Sequence, residues 1–374
     1  MIMTTTATTK DPHRLLRLFD ILKTPRPTNG APVSKEWISA TLDIPAESIV
    51  YQPWGCHISI VDPSTHTVPA VAYVAHLDTI DTGATSLKTV KLLFAPPSPS
   101  EDSGRWLLHL ASSSSSSCCL GADDGAGLFI LSRMIEAKVP GHYLMFQQEE
   151  CGGVGVREFC TSPYGIELQR TLKITLEFDR KGTKDVVYSH MSSGDCANPQ
   201  FAQYVADLIN SGDSTLQLLP SDSGLFTDVA ELSKHNKKLQ CVNISVGYEF
   251  AHTLEETLDL TYLMKLVSVM MNTGITDDLL RYKGPKKKQR PTSWRRSSPP
   301  LWGRINGRYR HSSNLGWFKD YCYNYPDMVA GLLTNLYNND ITAFEADLFS
   351  PKAQDTLEEE GDTYDNHYRH SHRY

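Results

Sequence analysis

Cysteine pairs with metal-binding or redox spacing are missing from this sequence. The eight cysteines lie at positions 56, 118, 119, 151, 160, 196, 241 and 322, and none forms a Cys-x-x-Cys motif, so the common zinc–thiolate sites are not indicated. Also missing are an apolar run long enough to span a bilayer and an apolar segment near the N-terminus that would mark a secretory signal. We therefore expect a cytoplasmic protein with reduced thiols and no membrane partner.

Acidic residues are missing from one long stretch of the chain. Between Arg281 and Phe318 there are eleven Lys or Arg residues and no Asp or Glu, although the whole chain of 374 residues carries a net charge of −7. A stretch of this composition cannot easily pack a core, so it marks a boundary. We expect a folded domain over 1–280, a basic linker over 281–326, and a short helical segment with an acidic, histidine-rich tail over 327–374.

The basic stretch has two interpretations. We favour a solvated linker, because Trp294, Trp302 and Tyr309 belong to no recognisable RNA-binding framework. The alternative is that 281–311 contacts nucleic acid or another anionic partner, in which case binding would weaken steeply with added salt. The net negative charge of the whole chain gives no general reason to bind nucleic acid.

Apolar runs alternate with helical patterns over the first 280 residues. This alternation predicts an α/β fold with a mostly parallel central sheet flanked by helices. Helices are predicted at 14–22, 125–137 and 198–212, and a buried strand at 68–75. The segments HYLMFQQEE, TLKITLEFD and LQCVNISVGYEFAH are predicted to be further strands of the same sheet.

Each predicted strand of this series has an ionisable side chain just past its carboxyl end, and the double aspartate stands before the predicted helix at 125–137. In open α/β sheets, ligands bind at the carboxyl ends of the strands, so these side chains are expected to lie together. Two imidazoles and three carboxylates suit two divalent zinc-like ions that share one bridging carboxylate. The candidates are His76, Asp123 or Asp124, Glu150, Asp179 and His252.

Two further acids complete the predicted site. A shared attacking water needs a base that is not itself a ligand, and Glu149 is the obvious candidate. Neighbouring residues of an extended segment point to opposite sides, so Glu149 and Glu150 could divide these roles. In the His76-x-Asp78 pair, the acid could hold the second ring nitrogen of the imidazole and so fix its tautomer.

Each signal has an ordinary explanation when it is taken alone. Asp123 and Asp124 could cap the helix that follows, since aspartate near a helix N-terminus is stabilising. Asp179 could pair with Arg180 on the surface, and His252 could simply begin a helix. The combination is more specific than any member, because all five signals occur in a workable order along the chain.

The motif series resembles that of the dinuclear zinc exopeptidases, the clan of the bacterial leucyl aminopeptidases, peptidase T and the glutamate carboxypeptidase relatives. The resemblance covers roughly residues 10–270, and it extends to SDSGLFTDVAEL (221–232) and GYEFAHTLEETLDL (247–260). The residues that carry it are His76-Leu77-Asp78, Gly121-Ala122-Asp123-Asp124, Glu149-Glu150-Cys151-Gly152, Asp179 and His252. It implies a zinc exopeptidase-like fold for 1–280.

The resemblance also implies a role for each residue. His76 and Asp179 would bind one metal ion, Glu150 and His252 the other, and Asp123 both. Glu149 would be the general base and acid, and Asp78 would orient His76. Zn²⁺ is the expected metal, with Co²⁺ or Mn²⁺ as alternatives.

The spacing of the motifs favours the branch of the clan without a lid domain. Only 46 residues lie between His76 and Asp123, and 72 between Asp179 and His252, which leaves little room for an inserted domain. The expected activity is release of N-terminal residues from peptides. A carboxypeptidase or deacylase on the same site, a non-catalytic binding protein that keeps the fold, and a scaffold for the basic segment remain alternatives.

Overall fold

The computed structural model describes residues 12–28, 30–80, 87–96, 104–111 and 118–284. The predicted basic linker from residue 285 onward and the predicted helical segment and tail at 327–374 lie outside these ranges. None of the helices in the described part of the chain is both long and apolar enough to cross a membrane.

The described residues form alternating helices and strands. The helices are α1 (Pro12–Lys23), α2 (Lys35–Leu42), α3 (Ala122–Glu136), α4 (Val154–Thr161), α5 (Pro163–Thr171), α6 (Pro199–Gly212), α7 (Asp228–His235), α8 (Leu260–Met270) and α9 (Ile275–Leu280). The strands are β1 (Val50–Gln52), β2 (Gly55–Ile60), β3 (Val71–His76), β4 (Val90–Ala95), β5 (Arg105–Leu110), β6 (Gly141–Phe146), β7 (Ile174–Arg180), β8 (Asp185–Val187), β9 (Ser189–His190), β10 (Gly194–Asp195), β11 (Leu219–Ser221), β12 (Gln240–Ser245), β13 (Tyr248–Glu249) and β14 (Thr257–Asp259). The helices predicted near 14–22, 125–137 and 198–212 are confirmed as α1, α3 and α6.

The central sheet has the strand order β1-β2-β6-β3-β7-β12-β8-β11. Its middle strands β6, β3, β7 and β12 are all parallel to one another, and β1 and β2 join one edge in antiparallel pairing. The predicted mostly parallel sheet flanked by helices is confirmed. A second, antiparallel sheet of β13, β14, β5 and β4 was not predicted; it links the segment after His76 to the segment after His252.

Both faces of the central sheet are covered, which explains the continuous apolar run in β3. Val71, Tyr73 and Ala75 belong to the core on the side of α1, α3 and α8, whereas Ala72 and Val74 belong to the core on the side of α4 and α7. Helix α3 packs so closely on β7 that a Cβ atom on Gly127 would lie 2.2 Å from the carbonyl oxygen of Phe178.

Two buried histidines stand on neighbouring strands away from the carboxyl edge of the sheet. His57 of β2 has its Nδ1 atom 2.5 Å from the hydroxyl oxygen of Tyr164, and its Nε2 atom 3.0 Å from Nδ1 of His142 on β6. Burial, together with the neighbouring imidazole, lowers the pKa of His57 to about 3, and burial lowers the pKa of His142 to about 4. Both rings are therefore neutral in the folded protein near neutral pH.

We expect this pair to make the fold sensitive to mild acid. The unfolded chain takes up protons near the ordinary histidine pKa of 6.5, whereas folded His57 does not until about 3, so stability falls as pH drops below 6.5. For His57 alone the loss between pH 7 and pH 5 is about 2 kcal/mol. The destabilisation caused by His57→Gln, measured by urea unfolding, should therefore be smaller at pH 5 than at pH 7 by that amount. The exposed His66, changed to Gln, is the control, and a penalty for His57→Gln that is independent of pH would contradict the account.

Candidate metal centre

Histidine and acidic residues gather at the carboxyl edge of the central sheet. His76 is the last residue of β3, and Asp179 is the next-to-last residue of β7. Glu150 lies in the turn after β6, Asp123 in the first turn of α3, and His252 in the loop after β13. His76 and Asp179 lie within the ends of their strands and not just past them. His76 pairs with Phe146 of β6, whereas the N–H of Asp179 donates to the side-chain oxygen of Asn243 at an irregularity between β7 and β12.

The two neighbouring aspartates have different tasks. Asp123 and Asp124 have backbone angles outside the helical region, and the peptide bond between them is cis. Asp124 is fully buried, and its carboxylate accepts hydrogen bonds from the backbone N–H of Gly127 at 2.8 Å and of His76 at 3.0 Å. Asp124 therefore caps the N-terminus of α3, and the carboxylate of Asp123 faces the cluster of histidine and acidic residues.

Two imidazole nitrogens face the carboxylate of Asp123 from opposite sides. Nε2 of His76 lies 3.0 Å from Oδ1 of Asp123 and 3.6 Å from Oδ1 of Asp179. Nε2 of His252 lies 3.2 Å from Oδ2 of Asp123 and 2.9 Å from Oε1 of Glu150. The two oxygens of Asp123 are thus divided between the two histidines, which is the arrangement that a bridging carboxylate requires.

Donor atoms at this edge are close enough to share a cation. Ligand atoms of His76, Asp123 and Glu150 lie within 4.8 Å of one another, and so do those of His76, Asp124 and Asp179. The second group contains Asp124, whereas the resemblance implies Asp123 at this place. Because both oxygens of Asp124 already accept backbone N–H groups, we regard Asp123 as the carboxylate available at this position.

Asp78 contacts both His76 and the turn that carries the two glutamates. Nδ1 of His76 lies 3.0 Å from the backbone carbonyl oxygen of Asp78 and 3.6 Å from its carboxylate. The carboxylate also accepts the backbone N–H groups of Glu149 at 3.0 Å and Glu150 at 3.3 Å. The carbonyl of Asp78 therefore directs Nε2 of His76 toward the acids, while its side chain holds the two glutamates in place.

The prediction that Glu149 and Glu150 point to opposite sides because they lie in an extended segment was wrong, since this segment is not extended. Strand β6 ends at Phe146, and both glutamates lie in a turn in which Gln148 has a φ of 57°. Glu150 contacts His252, whereas Glu149 is buried beside it. The turn, and not strand alternation, gives the two side chains their separate positions.

The electrostatics of this edge are dominated by buried negative charge. Burial, followed by neighbouring carboxylates such as Asp179, raises the pKa of Glu149, and burial with Asp123 raises the pKa of Asp179 to about 6. Burial opposes the charged form of His252, but Glu150 and Asp123 raise its pKa to about 12. So many acids can be buried together only if protons or cations balance them.

Three residues of this cluster were not singled out from the sequence. Oε2 of Glu177 lies 2.5 Å from the hydroxyl oxygen of Thr227, which in turn lies 3.1 Å from Oδ2 of Asp179. Asp228 is fully buried, and neither of its carboxylate oxygens has a hydrogen-bond partner among the described residues; the same holds for Oε1 of Glu177. The period of two in β7, which puts Glu177 on the same face as Asp179, could have revealed Glu177.

Comparison with known proteins finds similar solved structures. No family model and no curated protein matches this chain. The aminopeptidase PepT from Bacillus cereus and a tripeptidase from Staphylococcus aureus each match with 13% identity and a TM-score of 0.49, over 72% of this chain and 98% of theirs. An aminopeptidase from the archaeon Desulfurococcus kamchatkensis matches with 14% identity and a TM-score of 0.47, over 74% of this chain and 99% of that one. At these identities and scores the matches assign no activity to this chain.

Proposed function

We propose that this chain is a dinuclear metal-dependent exopeptidase that removes N-terminal residues from peptides. The observation that carries the proposal is the division of the Asp123 carboxylate between Nε2 of His76 and Nε2 of His252. The order of the motifs along the chain, which resembles that of the dinuclear zinc exopeptidases, supports it as well.

The residues present fit two divalent cations. Each imidazole nitrogen faces two carboxylate oxygens, and buried acids exceed buried basic groups around the site. The carboxylate of Asp228 has no hydrogen-bond partner in the described part of the chain, although it is fully buried. Cations would offset this uncompensated charge. Imidazole with carboxylate is a donor set that suits Zn²⁺ and also admits Co²⁺ or Mn²⁺.

We assign the ligands as the resemblance to the dinuclear zinc exopeptidases implies. His76, Asp123 and Asp179 would hold one ion, and Asp123, Glu150 and His252 the other. When bound, two such ions polarise the scissile carbonyl and make the attacking water more acidic. Asp78 keeps His76 and the turn of Glu149 in position through its carbonyl and carboxylate.

Glu149 is the proposed proton carrier. Its carboxylate is buried beside Glu150 but belongs to neither ligand set, so it is available to accept a proton from the attacking water. The same carboxyl group would then donate that proton to the nitrogen of the leaving amine as the peptide bond breaks.

The direction of attack along the peptide can be tested with three matched tripeptides. After reconstitution with Zn²⁺, we expect cleavage of a tripeptide with a free N-terminus and of its C-terminal amide, and no cleavage of its N-acetyl form. Mass spectrometry of the products identifies the residue released. Cleavage of the N-acetyl peptide but not of the amide would indicate a carboxypeptidase, and release of acetate would indicate a deacylase. No cleavage of any of the three would favour a binding protein that keeps the fold.

A further inference from the structure

The loop that carries Asp123 is held by two buried basic side chains. One guanidinium nitrogen of Arg26 donates to the carbonyl oxygen of Gly121 at 3.0 Å. Nζ of Lys88 lies 3.3 Å from the carbonyl oxygens of both Cys119 and Leu120. Arg26 and Lys88 are 2% and 4% exposed. Three consecutive carbonyl groups of this loop therefore face positive charge.

A buried acid holds the amide side of the same loop. One carboxylate oxygen of Glu256 accepts the N–H of Gly121 at 2.8 Å, and the other accepts the N–H of Asp123 at 3.0 Å. Glu256 is fully buried. Hydrogen bonds to a charged partner are stronger than neutral ones. When one partner of a buried hydrogen bond is removed, the other partner is left unsatisfied, and this costs free energy.

Glu256 also joins two parts of the metal centre. It lies four residues after His252, before β14, so its carboxylate ties the loop of one proposed ligand to the loop of another. Arg26 makes a similar connection, because its other terminal nitrogen donates to the carbonyl oxygen of Leu77, the residue after His76, at 3.1 Å. The segments that carry three proposed ligands, His76, Asp123 and His252, are thus connected through these two side chains.

We propose that Glu256 is a positioning residue, which together with Arg26 and Lys88 sets the place of the Asp123 carboxylate between the two histidines. The inference rests on the proposed function in one respect, since the Asp123 carboxylate is taken to be a shared metal ligand. The contacts themselves do not depend on the proposed function. The basic side chains face the backbone carbonyls of 119–121, and the carboxylate of Glu256 faces the N–H groups of Gly121 and Asp123. A loop held in this way needs little reorganisation when cations bind.

Glu256→Gln is the direct test, because glutamine keeps the shape but places an NH₂ group against one of the two backbone N–H groups. The exposed neighbour Glu255, changed to Gln, is the matched control. We expect Glu256→Gln to weaken Zn²⁺ or Co²⁺ binding in calorimetric titration by roughly 10- to 100-fold, as loss of a residue that supports a metal ligand does. The visible spectrum of the Co²⁺ form should also change. In the metal-free protein, amide hydrogen exchange over 119–124 should accelerate. Glu255→Gln should leave all three measurements unchanged.

Two results would overturn the inference. One is a folded Glu256→Gln protein with the metal affinity and Co²⁺ spectrum of the wild type. The other is unchanged hydrogen exchange over 119–124. If Glu256→Gln does not fold, Lys88→Met takes its place. This substitution removes the contacts to the carbonyls of Cys119 and Leu120, and the same metal titration, Co²⁺ spectrum and hydrogen exchange are measured. A wild-type protein that binds no metal would contradict the proposed function, whereas hydrogen exchange would still decide whether Glu256 holds the loop.

Discussion

Replacing Glu149 with Gln is expected to lower kcat by a factor of about 10² to 10⁴, the usual contribution of a positioned general acid or base. An amide cannot accept the proton of the attacking water or deliver it to the leaving amine. The backbone N–H of residue 149, which donates to Asp78, is unaffected by the substitution. Steady-state kinetics on an N-terminally free peptide measures the effect, with metal content determined on the same sample.

Metal binding and folding should survive this change. Glu149 is in neither proposed ligand set, and its carboxyl is buried among Asp179, Asp228 and Glu150, which repel its negative charge. A neutral amide removes that repulsion, so we expect the metal-free variant to be at least as stable as the wild type. The matched control is Glu158→Gln on the exposed face of α4, which should leave kcat unchanged. A Glu149→Gln enzyme with more than a tenth of the wild-type kcat would rule out this residue as the base.

The arrangement of the site along the sheet could be predicted from the sequence because it follows from topology. Strands β3, β6 and β7 are apolar runs that end close to His76, Glu150 and Asp179, and parallel strands bring those ends to one edge. The predicted ends of these strands differ from the observed ends by a few residues, because apolar patterning does not distinguish the last paired residue from the turn that follows.

The supporting contacts could not be predicted, because they depend on loop conformation. Asp78 was expected to reach His76 with its carboxylate, and the local turn brings its carbonyl oxygen closer to Nδ1, at 3.0 Å against 3.6 Å for the carboxylate. The contacts of Glu256 and Lys88 with the Asp123 loop join segments more than 30 residues apart without any repeat or spacing that would reveal them. The second sheet was missed for the same reason: its strands come from two distant parts of the chain.

Asp123→Asn should have the largest effect on metal content of any single change at the site. Asparagine keeps the shape and the backbone N–H that donates to Glu256, but it removes the Asp123 carboxylate that contacts both His76 and His252. We expect binding of both ions to be lost and the stabilisation by added Zn²⁺, seen as a rise in Tm, to disappear with it. The metal-free variant should unfold more easily than the wild type, because Asp123 pairs with His76 and His252, and both imidazoles hold the pKa of its carboxyl below the ordinary value against the effect of burial. Asp222→Asn, an exposed substitution, is the control and should behave as the wild type.

Elemental analysis of the purified chain, after reconstitution at neutral pH and removal of loosely bound metal, decides whether the dinuclear site exists. With two cations held by the proposed ligands, the wild-type chain is expected to contain about two zinc-like ions. We expect fewer than one in Asp123→Asn and an unchanged count in Asp222→Asn. A wild-type chain that holds no metal, or an Asp123→Asn chain that holds as much metal as the wild type, would contradict the dinuclear site.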